Sequence, residues 1–176
     1  MKGTLILAML LASLQAYAGV IEGRVIEVPD GGTFTVLSKE GASIHRVRLA
    51  GIEAPDKGRA IGGASRASMR HLVHGKEVRV ETNAIDSKGL LVGIVLVKRN
   101  SKDCANQPCA PLYDPGLTQL SSGLAKVDKA NVAVQSQETQ RLYGAAEEHA
   151  KSNRLGLWRE APGLAVRQDG PPALTR

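Results

Sequence analysis

The chain has 176 residues, with 23 lysines and arginines against 17 aspartates and glutamates, and a formal net charge of +6. That length suits one domain with a real hydrophobic core and leaves no room for two comfortable ones. The cationic balance favours polyanionic partners, whether nucleic acid, anionic lipid headgroups or acidic glycans.

The opening stretch MKGTLILAMLLASLQAYA places Lys2 before an apolar run from Leu5 to Leu11, with the small residues Ala16 and Ala18 around Tyr17. This is the layout of an export signal cleaved after Ala18. Residues 1–18 are therefore expected to be a signal peptide, and the protein to be periplasmic or secreted. A membrane anchor needs about 20 apolar residues, and Ser13 and Gln15 interrupt this run.

From Val20 to Val28 apolar and charged residues alternate imperfectly, and PDGG supplies a turn before TFTVL. Two strands and a hairpin are predicted. A second turn at SKEGAS leads to IHRVRLA, where Ile44, Val47 and Leu49 are expected inward, with Arg46 and Arg48 on the other side. His45 breaks that alternation and is expected to mark a bulge. After the proline-marked GIEAPDKG, the stretch GGASRASMRHLVHG predicts a helix ending at Gly75, with Ala67, Met69, Leu72 and Val73 as core candidates. The strand KEVRVET, the turn AIDSKG and the apolar strand LLVGIVLV complete five strands. A cysteine loop, a short helix around PGLTQLSSG, the segment LAKV and a long helix from about Val134 to Asn153 follow. The domain is expected to span residues 19–160, and the Pro- and Gly-rich residues 161–176 to form a poorly ordered tail. Five strands with one helix between the third and fourth suggest an α+β fold, a five-stranded OB-type β-barrel with about three helices.

Cys104 and Cys109, in DCANQPC, fit a structural disulfide in an oxidising compartment. The alternative is a pair of ordinary thiols; zinc would need ligands that the surrounding residues supply poorly.

The order of motifs narrows the reading. DGGT, VRLAGIEAPD, Asp86 with Gly89, GLAKV and GLW occur in sequence from about Val20 to Trp158. This arrangement resembles the staphylococcal nuclease (thermonuclease) family, secreted calcium-dependent nucleases built on an OB barrel with three helices. The resemblance implies a metal-ligand role for Glu53, where the family has Asp, and for the carbonyl of Ala54. It implies that Asp56 stands for the glutamate that orients or deprotonates water, that Arg48 binds phosphate, and that Asp30 supports the site from behind. Calcium is the implied cofactor, with magnesium as the alternative. Nucleic acid is the implied partner, DNA first and RNA second, for a chain expected to act as a monomer. The nearest likeness is to exported nuclease-like proteins of Gram-negative plasmids and conjugative elements, which implies plasmid maintenance or DNA transfer.

Three departures cut against fast catalysis. Gly32 replaces the second metal-ligand aspartate. Leu90 replaces the second arginine, which leaves Lys88 as a nearby phosphate-binding cation, a point charge in place of a planar fork. DKAN follows GLAKV, without the base-stacking tyrosines of well-known members. Loss of one charge-stabilising donor typically costs about 2.7–4 kcal/mol in the barrier. A weak or altered nuclease is expected; the rivals are a degenerate nucleic-acid binder and a protein-interaction module.

Simpler readings stand beside these. Arg48 and Asp56 form a plain salt bridge at a strand end, Gly31 and Gly32 are hairpin residues with positive φ, and Asp86 bonds its own turn. His71 and His74 end a solvated helix, and Tyr143 and Trp158 pack the last helix. Lys76, Arg79, Lys98, Arg99 and Lys102 form either a solvated face or a nucleic-acid track.

Overall fold

The computed structural model describes residues 19–99, 112–129 and 135–159. The expected signal peptide, the Cys104–Cys109 disulfide, Lys102 and the tail lie outside the described residues. Among those described, no helix is long and apolar enough to cross a membrane.

Strands β1 (Gly19–Glu27), β2 (Thr33–Ser38) and β3 (Ile44–Leu49) form an antiparallel meander, and β1 also pairs with β5 (Glu77–Ile85). β5 pairs with β6 (Leu91–Lys98), and β6 returns to lie parallel to β3 through Val47↔Leu91, Arg48↔Val92 and Leu49↔Gly93. This last pairing closes the sheet into the expected five-stranded barrel. Two short strands, β4 (Ile52–Glu53) and β8 (Lys126–Val127), pair outside it, and β7 (Leu112–Tyr113) extends β6. Helix α1 (Ala60–Val73) falls between the third and fourth barrel strands, as predicted, and α2 (Pro115–Ser121) and α3 (Gln137–Ser152) follow. The core joins barrel and helices: Phe34, Val36, Val47, Val80 and Val95 pack with Met69, Leu120 and Tyr143.

Helix ends follow local chemistry. The Asp114 carboxylate accepts the N–H groups of Gly116 and Leu117 at the start of α2, and Ser136 caps α3 by accepting from Thr139 N–H. The same Asp114 accepts the hydroxyl of buried Tyr143 at 2.7 Å, which ties α2 to α3. Burial pushes the Asp114 carboxyl above its usual range despite these three donors.

Several local expectations change. β3 pairs with β2 in unbroken register from Leu37↔Ile44 to Thr33↔Arg48, so His45 marks no bulge. The barrel's irregularities fall between Val25 and Glu27 and between Thr82 and Ala84 instead. Strict alternation puts His45, Val47 and Leu49 on one side of β3, and this leaves Ile44 facing out at 64% exposure. Ala67 is exposed, and Ser65, two residues earlier on α1, takes the buried place. Neither Gly31 nor Gly32 has positive φ. Gly31 is small for another reason: a Cβ there would fall on the Ser65 hydroxyl.

Candidate active site

A cavity of about 520 Å³ opens beside the end of β3, lined by Asp30, Arg48, Glu53, Asp56, Asp86 and Lys88. They come from several separate local devices. Asp30 sits in the β1–β2 turn, where its Oδ1 accepts the Gly32 N–H at 3.0 Å. That turn is held from behind by buried Gln119, whose amide donates to Gly31 O at 3.2 Å and to Ser65 O at 2.9 Å. Arg48 projects from β3, and Glu53 and Ala54 follow on β4 and its loop. The Asp56 carbonyl accepts the Arg59 N–H at 3.1 Å, so Asp56 stands at the turn into α1. Lys88 belongs to the β5–β6 turn, which Asp86 builds by accepting the N–H groups of Lys88 at 2.8 Å and Leu90 at 2.9 Å.

Arg48 is held by two carboxylates. Its Nη2 donates to Asp128 Oδ2 at 3.1 Å, and its Nη1 lies 3.9 Å from Asp86 Oδ2. Asp128 is almost fully buried and does not line the cavity, whereas Arg48 does. Asp128 therefore braces the guanidinium from behind, while Asp86 holds it from within the opening. Burial alone would raise the Asp86 carboxyl, but the two turn N–H groups and the charge of Arg48 hold it below its usual range. The plain Arg48–Asp56 salt bridge does not form. The Asp56 side chain is exposed and has no hydrogen-bond or ion-pair partner among the described residues.

The sequence matches the family described as "Staphylococcal nuclease homologue" over residues 46–160. The chain belongs to the staphylococcal nuclease family. It is 32% identical over 158 residues to a micrococcal nuclease of Shigella flexneri, covering 85% of this chain and 79% of that protein. It is 30% identical over 152 residues to the protein ParB of Escherichia coli, covering 86% and 80%. It is 29% identical over 135 residues to an uncharacterized endonuclease of Haemophilus influenzae, covering 77% and 65%.

Against this family's pattern the chain brings together Asp30, Arg48, Glu53, Ala54, Asp56 and Lys88, every implied site residue, around one opening. The departures are equally physical. Gly32 lines the cavity without a side chain, and Leu90 presents an apolar, largely buried wall where the nuclease family has a cation. Glu53 is drawn aside by Lys126, its register partner across β4 and β8, at 3.2 Å. One oxygen of Asp30 is already taken by the Gly32 N–H. Among the described residues no three Asp, Glu, His or Cys side chains come together as a metal site. The donor set does not fit a resident calcium ion, which asks for six to eight oxygens at about 2.3–2.6 Å.

Sequence reasoning missed Asp128, Lys126, Ser65 and Gln119. DKAN carried the signal for the first, an acid straight after GLAKV, but nothing local points it at a residue 80 positions earlier. His71 and His74 stay exposed near the end of α1, and Trp158 stacks under the Lys151 ammonium at 4.9 Å.

Proposed function

We propose that the chain is a nuclease that hydrolyses phosphodiester bonds in DNA, with RNA as a second substrate, more slowly than a complete member of its family. The observation that carries this reading is the Arg48 guanidinium, braced by Asp128 and Asp86 and facing the same cavity as the unpartnered Asp56. Arg48 binds and orients a non-bridging phosphate oxygen and stabilises the charge that gathers there. Asp56 accepts a proton from the attacking water. Lys88 adds a second positive charge at the rim without the geometry of a fork. The loss of a carboxylate at Gly32 and of a cation at Leu90 supports weak turnover and low affinity for calcium or magnesium. The names of two relatives support nuclease chemistry, and the resemblance of the motifs to those of exported, plasmid-borne nuclease-like proteins supports a role in plasmid maintenance or transfer. The signal-like residues 1–18 support action in the periplasm or outside the cell.

A second reading, a binder of nucleic acid without turnover, is favoured by the Glu53–Lys126 pair and the apolar Leu90. The two separate in one assay. The chain and its Asp56→Ala variant are incubated with circular DNA, linear DNA and RNA in calcium, in magnesium and in chelator. Divalent-dependent cleavage by the native chain alone supports the nuclease. Salt-sensitive binding that persists in chelator, with no cleavage by either protein, supports the binder.

A further inference from the structure

We propose that the arginine-bearing side of α1 is a second nucleic-acid-binding surface, along which the strand leaving the cavity lays its phosphates on Arg59, Arg66 and Arg70. The proposal rests on the nuclease reading above and extends it from the reacting phosphate to the rest of the strand. A cavity of about 520 Å³ is of small-ligand size, so a polymer must run out of it across the surface.

The helix begins where the site ends, since the Asp56 carbonyl accepts the Arg59 N–H. From there to Glu77 the sequence contains no acid, while Lys57, Arg59, Arg66, Arg70 and Lys76 supply positive charge. Positions 59, 66 and 70 fall on one side of a helix with about 3.6 residues per turn, and all three residues are exposed. None of the three forms an ion pair among the described residues. Arg66 is fixed by donating its Nε to Val28 O at 3.0 Å, two residues before Asp30, so it links the cavity's edge to the helix. Gly63, between Arg59 and Arg66, leaves open space on the same side. At a rise of about 1.5 Å per residue the row spans roughly 16 Å, several times the spacing of about 3.4 Å per phosphate along one strand of a duplex.

The contrast with the barrel's own cations strengthens the assignment. Arg79 is engaged by Glu22 and Glu81, Lys98 by Glu22, and Lys39 and Arg24 by Glu77. Cations already neutralised release little counterion when a phosphate arrives, whereas those on α1 carry their full charge to the strand.

The test compares the native chain with the double variant Arg59→Gln/Arg70→Gln, which leaves the Arg66–Val28 bond intact, and with Asp56→Ala. Binding of a fluorescent oligothymidylate of about 12 nucleotides, a length one OB barrel covers, is measured in chelator across a salt series. Hydrolysis of bis(p-nitrophenyl) phosphate, too small to reach α1, is followed in parallel, with a thermal melt of each protein. The double variant is expected to melt as the native chain does, to bind the strand on the order of tenfold more weakly at 0.1 M salt, and to lose about 1.4 from the salt slope. Its hydrolysis of the small diester is expected to stay unchanged. An unchanged salt slope, or no salt-sensitive binding by the native chain, overturns the α1 surface. Failure of the nuclease reading shows elsewhere, as hydrolysis of the small diester that the native chain lacks or that Asp56→Ala does not reduce.

Discussion

Gly32→Asp returns a carboxylate to the cavity, and the structure sets what it should cost. A Cβ at Gly32 would meet Ala54 Cβ at 3.5 Å and Ala54 N and Ile52 Cδ1 at 4.0 Å, all ordinary contacts. The backbone there is not left-handed, so the residue needs no glycine, and the Gly32 N–H to Asp30 bond involves only main chain on that side. Loss of glycine's freedom in the unfolded chain favours the variant by about 0.4–1 kcal/mol, and repulsion from Asp30 opposes it, so the melting temperature in chelator should change little. With the new carboxylate beside Asp30, Glu53 and the Ala54 carbonyl, calcium should bind the folded state. Saturation at about 100 times the dissociation constant contributes about 2.7 kcal/mol, equivalent to roughly 5–10 °C in a domain of this size. Differential scanning calorimetry with a calcium titration reads this directly, with the native chain as the comparison. A variant that folds normally in chelator yet gains no calcium-dependent shift beyond the native chain's would refute Gly32 as the position of the missing carboxylate.

Arg48→Lys should lower phosphodiester turnover by about two to three powers of ten, since an ammonium cannot present the braced fork; steady-state kinetics on DNA check it. Asp128→Asn should lower stability by about 1 kcal/mol, discounted because Arg48 is a third exposed. It should also reduce turnover in the native background but not in Arg48→Lys, a non-additivity that a double-mutant cycle would expose. Gly31→Ala drives a methyl into the Ser65 hydroxyl and should destabilise by about 1–3 kcal/mol, with Ser65→Ala relieving part of the loss in urea denaturation. Glu147 accepts from Val127 N–H at 2.7 Å and pairs with Lys151. Burial would raise its carboxyl, but these two partners hold it below the usual range. A depressed folded-state carboxyl stabilises above its unfolded value and loses that contribution as the pH falls through the folded one. Glu147→Gln should therefore flatten the acid limb of the stability profile, measured by urea denaturation at a series of pH values.

The strands and helices were legible because each carries its own period and punctuation: PDGG before β2, Gly75 after α1, the apolar run of β6. The cluster of implied site residues was legible because RLAGIEAPD keeps most of it within nine positions. What escaped was set by pairing across the fold. Ile44 looks like core by type, but the parity of Val47 and Leu49 decides its side. Glu53 reads as a free ligand until β8 brings Lys126 opposite it. Asp128 reaches Arg48 only because β4 pairs with β8 and draws the start of the next loop alongside the barrel. Gly31 suggests a tight turn, and only the packing of α1 shows that the hydroxyl of Ser65 forbids anything larger.

The parallel seam between β3 and β6 bears on when the protein becomes competent. Arg48 stands on that seam, opposite Thr33 on one side and Val92 on the other, and Ala50 N–H reaches across to Gly93 O at 2.9 Å. Contacts between residues so far apart in sequence assemble late, after the local hairpins have formed. The reactive corner therefore does not exist in a half-built chain: the first meander can form with its arginine in place and still lack the strand that fixes it. Competence arrives with closure, and a chain emerging from synthesis lacks this corner until its barrel shuts.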